Sequence, residues 1–191
     1  MSKLDLINFK RCEWVPLTKP LYIKYHDQEW GKPVKDDNLL FELMTLEMFQ
    51  AGLNWYIILQ KRNDFKIAFK NFNPEKVSMF NQKQIDSLTK NPKIIRNKLK
   101  IKSSINNANK FLDIKKEFEF FSNYIWNFTN GIPINNKWKT NLEIPCESEL
   151  SNLIAKDLKK RGFHFFGPTI TYSFMQAVGI VNDHIFNCSY K

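Results

Sequence analysis

Apolar residues recur at three- and four-residue spacing through almost all of this sequence, and no run alternates apolar and polar with strict period two. That spacing lines one face of a 3.6-residue helix, whereas a half-buried strand needs period two, so the chain reads as all-helical. Caps and breakers divide it into segments. Pro20 opens a short helix holding Tyr22, Tyr25 and His26, and Asp36 or Asp37 caps a longer one whose stripe runs Leu40, Leu43, Met44, Glu47 and Ala51. Shorter helices are expected around Phe65–Phe69, after Asn73-Pro74, and over Asn81–Lys90, where Asn91-Pro92 breaks the pattern. A basic helix begins near Arg96 and runs through Ile105, Ala108 and Leu112, and an aromatic helix over Phe118–Phe128 ends before Gly131. Residues 132–147 read as a loop. Ser148 caps a helix with Leu150, Leu153, Ile154 and Leu158 inward, closed by Gly162, and Pro168 opens a last helix reaching Val181.

With 191 residues, 43% of them hydrophobic and 15% aromatic, the chain can bury a core as one domain over 1–191 or as two helical lobes flanking one cleft. Lys and Arg number 29 against 19 acidic residues, a formal charge of +10, which suits a polyanionic partner and equally a solvated basic surface. The opening Met1–Lys10 lacks an apolar leader, and Thr171–Val181 is too short and too polar to span a bilayer, so the expectation is a cytoplasmic protein with no membrane partner. Three cysteines, Cys12, Cys146 and Cys188, make a poor disulfide framework and point to free thiols or metal ligands.

Three groups of residues carry possible chemistry. Cys12, His26, His184 and Cys188 are donors of the kind that tetrahedral zinc takes, and the last two, at i and i+4, would face one way on a helical turn. If the chain ends meet, a four-ligand structural site results; otherwise these are ordinary buried side chains. Glu47 falls on an apolar stripe, where a carboxyl group must be paired, reach water, or serve a site. Trp14, Tyr22, Tyr25, Trp30 and Trp55 cluster in sequence near it, which describes either core or a pocket for a flat polar ring such as an extruded nucleobase.

Taken together, these residues resemble the bacterial DNA-3-methyladenine glycosylase I family over roughly Arg11 to Cys188. The resemblance rests on Arg-Cys-Glu-Trp at 11–14, Pro-Leu-Tyr-Ile-Lys-Tyr-His-Asp-Gln-Glu-Trp-Gly at 20–31 and Leu-Glu-Met-Phe-Gln-Ala-Gly-Leu-Asn-Trp at 46–55. Lys-Lys-Arg-Gly-Phe-His-Phe-Phe-Gly-Pro-Thr at 159–169, Tyr-Ser-Phe-Met-Gln-Ala at 172–177 and Gly-Ile-Val-Asn-Asp-His at 179–184 extend it.

The resemblance implies an all-α, helix-hairpin-helix glycosylase-like fold whose ends are joined by one structural zinc on Cys12, His26, His184 and Cys188. It implies a monomeric, monofunctional DNA repair hydrolase without lyase activity. Such an enzyme releases 3-methyladenine from alkylated double-stranded DNA and leaves an abasic site. By the same resemblance Glu47 accepts from the amino edge of the base and Trp55 stacks on it. Tyr22, Tyr25, Trp14, Trp30 and Ser173 complete the pocket, and Lys93, Arg96, Lys98 and Lys100 meet phosphates. The matching hairpin, Asn91–Ile95, has Lys93 and no glycine, and the position of a frequent catalytic Asp is Asn182, with Asp183 expected as a cap or a partner of a zinc-bound His. The rival reading is a zinc-stabilised, non-catalytic DNA-binding module, which would not require Glu47 and its aromatic wall. Zinc-dependent deamination is set aside because no second cysteine follows Pro145-Cys146 at the required spacing.

Overall fold

The computed structural model describes residues 9–191, so the expectation about a leader over positions 1–8 lies outside the described residues. Pro20, with φ preset and no amide to leave unpaired, opens α1 (Pro20–Gln28). The Asp36 carboxylate accepts from the Leu39 amide at 2.7 Å and starts α2 (Asp37–Gln50). Every residue of α2 from Leu40 to Phe49 is buried, which makes it the central helix and explains why its inner stripe is hard to distinguish from its other faces.

Gly52, at φ +79°, turns the chain, and Asn54 caps α3 (Trp55–Ala68) by accepting from the Tyr56 amide at 2.8 Å. This corrects the short helix expected around Phe65–Phe69. The polar run Gln60–Asp64, which includes the inward-bonding Arg62, separates the buried Ile58 and Leu59 from Phe65 and so interrupts the apolar spacing along the helix. Asn73 caps α4 (Pro74–Ser78), and Asn81 with Gln84 forms a capping box on α5 (Gln82–Lys90). A turn over 91–97 leads to α6 (Lys98–Phe118), capped by Asn97.

Phe118 closes α6 rather than opening an aromatic helix; Glu119, at φ +69°, breaks the chain and α7 begins at Phe121 (Phe121–Asn127). The cap of α7 comes from a distant helix: the Asp37 carboxylate accepts from the Phe121 and Ser122 amides at 3.1 and 2.9 Å. No local reading finds such a cap. The expected loop contains a two-residue strand, β1 (Ile134–Asn135), followed by a short 3-10 turn at Asn141–Glu143.

Ser148 and Ser151 form a capping box on α8 (Glu149–Lys160), and Pro168 opens α9 (Pro168–Ala177). Leu153 on α8 is 55% exposed, not inward; Ser151, Ile154, Ala155 and Leu158 form the buried face. The last helix stops at Ala177 rather than Val181, because Gly179, at φ +70°, brings the chain so close to Lys32 that a Cβ would lie 2.2 Å from its carbonyl carbon. Val181 then belongs to β2 (Val181–Asn182), which pairs in parallel with β1, Ile134 opposite Val181 and Asn135 opposite Asn182. Two-residue strands are too short to produce a period-two pattern.

The larger apolar core surrounds α2 and includes a phenylalanine group, Phe49, Phe65 and Phe69, with Phe111 stacked on Phe121 at 4.0 Å. A smaller one gathers both chain ends: Cys12 and Val15, with Tyr22, Tyr25 and Trp30, meet Ile185 and Cys188. Trp55 packs on both. Among the described residues no helix is long and apolar enough to cross a membrane.

Lys100, expected on the basic surface, is instead buried, and its ammonium donates to the carbonyls of Phe49 at 2.9 Å and Ala51 at 2.7 Å. It thereby caps the C-terminal end of α2, where the helix dipole favours a cation. Replacing Lys100 by Met leaves those carbonyls without a donor, and the expected cost is ~1–3 kcal/mol of unfolding free energy. Urea denaturation of the two proteins measures it, and an unchanged midpoint and slope would contradict the capping role.

Candidate active site

A cavity of about 330 Å³ lies where α1, α2, α3 and α9 converge with the loops on either side. Tyr22 and Tyr25 reach it from α1, Glu47 and Gln50 from α2, Trp55 from α3, and Ser173 and Gln176 from α9. Trp14, Trp30, Asn141 and Ile144 close it from the loops. All seven residues that the sequence reading placed around a pocket therefore border one space. Gln50, Asn141, Ile144 and Gln176 were not marked. Gln50 and Gln176 each lie one turn from a marked residue on the same helix, Glu47 and Ser173, so helical spacing could have found them; nothing local distinguishes Asn141 or Ile144.

The aromatic wall is rigid because its rings pack on one another. Trp14 meets Trp30 edge-on at 4.9 Å and Tyr22 at 5.8 Å, Tyr25 tilts against Trp55 at 5.3 Å, and Tyr22 stacks on Tyr56 at 5.3 Å. The Tyr22 hydroxyl donates to the Asn54 side chain at 3.1 Å, tying the wall to the cap of α3.

Two acids on α2 are buried, and they differ in their partners. Arg62 donates to Glu42 at 2.6 Å and to Glu29 at 2.5 Å, so those carboxylates are neutralised in a bridge across α1, α2 and α3. Glu47, only 4% exposed, has no donor among the described residues, and burial pushes its pKa up to about 8. It is the one carboxyl group bordering the cavity. The same burial, reinforced by Glu47, raises the neighbouring Tyr25 phenol.

Behind Trp14 and Trp30, the ligand-type atoms of Cys12, His26 and Cys188 all lie within 4.8 Å of one another, a buried group that could hold a metal ion. His26 engages Asp27 through Nδ1 at 2.8 Å, and Arg11 clamps that carboxylate at 2.9 and 2.7 Å. The His26 Nε2 is thus left to face the Cys188 sulfur at 3.5 Å. The His184 ring centroid is 4.7 Å from that of His26; its Nδ1 engages Asn182 at 2.7 Å, while its buried Nε2 has no partner among the described residues. Both imidazoles are therefore oriented through Nδ1; His26 Nε2 also takes the Cys12 amide at 3.4 Å, and His184 Nε2 is unpartnered among the described residues, an orientation that metal-bound histidines share. The two buried sulfurs share a hydrogen bond that holds Cys12 high and Cys188 low, which favours a thiolate. The two sulfurs and the His26 nitrogen gathered there are donors of the kind a borderline-soft cation takes.

Two expectations about this segment are corrected. His184 and Cys188 do not share a helical turn, since the chain after β2 is irregular and brings them together through a turn at 186–187. Nor does Asp183 hold a histidine: Asn182 does. Asp183 is fully buried and accepts from Asn136 at 2.6 Å, Trp138 at 2.7 Å, Tyr172 at 2.7 Å and Gln176 at 2.8 Å. Cys146 is free and exposed.

Lys93, Arg96 and Lys98 are exposed in and just after the turn between α5 and α6, away from the cavity lining. Asn91 accepts from the Lys93 amide at 3.0 Å, Ile94 plugs the turn into the core, and Lys61 braces it by donating to the Lys93 carbonyl at 3.0 Å. The Lys93 ammonium lies 3.8 Å from Asp64, an exposed and weak pairing.

Residues 14–191 match the family described as methyladenine glycosylase. The chain is 44% identical over 179 residues to DNA-3-methyladenine glycosylase 1 of Escherichia coli K12, covering 94% of this chain and 95% of that one. Against the DNA-3-methyladenine glycosylase of Haemophilus influenzae the identity is 42%, covering 95% and 97%. A crystal structure of 3-methyladenine DNA glycosylase I superposes with a TM-score of 0.91 at 43% identity, covering 94% and 98%. A tyrosine-to-phenylalanine variant of such an enzyme, crystallised in complex with 3-methyladenine, superposes with 0.88 at 34% identity, covering 90% and 92%.

Because the folded pKa of Glu47 lies above its ordinary value of 4.5, the folded form binds more protons between that pH and about 8. Stability therefore falls as pH rises through this window, by on the order of 1 kcal/mol per pH unit. Glu47→Gln removes the titration, so the variant should gain on the wild type between pH 5 and pH 8. Urea unfolding at both values tests this; a difference that does not change with pH would show that Glu47 is already ionised.

Proposed function

The chain belongs to the methyladenine glycosylase family, and from that premise we propose that it hydrolyses the N-glycosidic bond of 3-methyladenine in alkylated double-stranded DNA. The products are the free base and an abasic site, the first step of base excision repair. The observation that carries the reading is Glu47, an unpaired carboxyl group at an aromatic-walled cavity sized for a single base.

Methylation at N3 makes the adenine cationic. The bond from N9 to the sugar C1′ is then already weakened, and the bond's electron pair leaves with the base while water attacks C1′. Such a leaving group needs little acid catalysis, consistent with the commitment of Asn182 to His184 and of Asp183 to four donors. What the protein must supply is extrusion of the base, stacking, and a field that favours the oxocarbenium-like transition state. Trp55 stacks on the base. Tyr22, Tyr25, Trp14 and Trp30 enclose it, with Ser173 at the rim. Glu47, protonated in the empty cavity below about pH 8, becomes favourable as a carboxylate once a cationic ring offsets its burial, and it accepts from the exocyclic amine. A neutral base brings no such offset, which gives the pocket a preference for alkylated rings.

In this reading Cys12, His26, His184 and Cys188 hold one structural Zn²⁺, supported by the convergence of Cys12, His26 and Cys188 and by the orphaned His184 Nε2, whose ring lies against that of His26. Bound there, zinc contributes folding free energy by joining the chain ends and leaves no coordination position for water. The α5–turn–α6 unit serves as the helix-hairpin-helix grip on DNA, with Lys93, Arg96 and Lys98 on phosphates, so binding weakens steeply with salt. The whole of 1–191 acts as one glycosylase domain, two lobes about the cavity, in a monomer working in the cytoplasm.

Base release from N-methylated DNA, resolved by chromatography, tests the activity. Wild type should release 3-methyladenine, and Glu47→Gln should lower kcat/KM by about 10- to 100-fold with its fold intact by circular dichroism. Full activity in that variant would remove Glu47 from the site. Cys188→Ala should lower Tm and metal content together while leaving the residual folded fraction active. Lost activity at unchanged Tm would contradict a structural metal.

A further inference from the structure

Gln176 borders the cavity one turn beyond Ser173, and its amide is held from behind: Nε2 donates to Asp183 Oδ2 at 2.8 Å. Four donors from two parts of the chain, the 132–147 segment and α9, converge on that carboxylate, which leaves it acceptor-only. Oδ1 takes the Asn136 amide and the Trp138 indole, at 2.6 and 2.7 Å, and Oδ2 takes the Tyr172 hydroxyl at 2.7 Å besides Gln176. Asp183 is fully buried, so the arrangement has no room to turn. A glutamine whose NH₂ is committed to a carboxylate must direct its carbonyl elsewhere, and Oε1 has no donor among the described residues. Gln50, also bordering the cavity, has no side-chain partner among the described residues.

From this arrangement we propose that Gln176, preset by Asp183, is a second acceptor for the exocyclic amine of the bound base and makes the site select 6-amino over 6-oxo 3-methylpurines. The inference rests on the base-release reading above. An exocyclic amine carries two N–H groups, one for Glu47 and one for Gln176 Oε1. A 6-oxo purine places a carbonyl oxygen there, facing two acceptors and leaving both unpaired in a buried site, which is the strongest form of discrimination a pocket makes against a near-isostere. Gln176 is the specificity residue and Asp183 a positioning residue that acts through it.

The experiment follows 3-methyladenine and 3-methylguanine released from one sample of N-methylated DNA, so that any general loss of fold or DNA binding affects both rates alike. Wild type should favour 3-methyladenine. Gln176→Leu should lower the ratio of the two rates about tenfold, mainly through slower release of 3-methyladenine. Asp183→Asn should lower it further and raise 3-methylguanine release. The Trp138 indole can only donate and keeps the oxygen of the new amide, so its NH₂ faces Gln176, which turns over and offers N–H to the cavity. A ratio unchanged in Gln176→Leu overturns the proposal, as does an unchanged ratio in a folded Asp183→Asn. If Asp183→Asn does not fold, the Gln176→Leu ratio decides alone. Wild-type protein that releases neither base would instead overturn the activity on which the inference stands.

Discussion

The burial of α2 on every side is the constraint from which the rest of the structure follows. A helix with Leu40 through Phe49 out of water can tolerate a charged side chain only where the charge is met or used. Glu42 is met by Arg62, which also takes Glu29 and so fixes α1 and α3 against α2. The exposed carbonyls at the end of α2 are met by the Lys100 ammonium, delivered from the first turn of α6. Of the charged side chains on α2, Glu47 has no partner among the described residues, and it borders the cavity. A buried helix thus converts three polar side chains into two braces and one site.

Joining the chain ends is the second element of the design. The Cys12, His26, His184 and Cys188 group lies directly behind Trp14 and Trp30, with His26 and His184 in ring contact with Trp30 at 6.0 and 4.7 Å. Whatever secures these donors also secures one wall of the cavity, so a structural group can affect activity without touching a base. Consecutive residues near the end of the chain divide the labour: Asn182 fixes the His184 ring through Nδ1, and Asp183 ties the 132–147 segment and α9 together. One-residue steps along an extended backbone alternate sides, which lets two neighbours serve two different centres.

Much of the helical framework was legible because it depends on local chemistry. Pro20, Asp36, Asn73, Asn81, Ser148 and Pro168 begin helices for reasons contained within a few residues, and the structure starts helices at each. The failures share a physical cause. In α3 the polar run Gln60–Asp64 includes an arginine that bonds inward, the cap of α7 is Asp37 from another helix, and β1 and β2 exist only as partners of each other. Leu153 and Lys100 exchange the environments their chemical types suggest, Leu153 exposed and Lys100 buried, because neighbouring elements, not composition, decide which face is covered. Around the cavity, aromatic and acidic residues stood out by type, whereas Gln176, Asn141 and Ile144 are ordinary residues whose role comes from position alone.

The sequence by itself determined a helical chain, a basic balance, four donors of metal-binding type and one carboxyl group misplaced on an apolar stripe, because periodicity, charge and donor chemistry are properties of residues and their spacing. Only the tertiary structure decided that Glu47 goes unpaired while Glu42 does not, that Asn182 rather than Asp183 serves His184, and that the Gln176 amide is turned by a carboxylate seven residues away in sequence. Those outcomes depend on which groups meet across the fold, and the energy of a buried polar group is set by the partner it finds there.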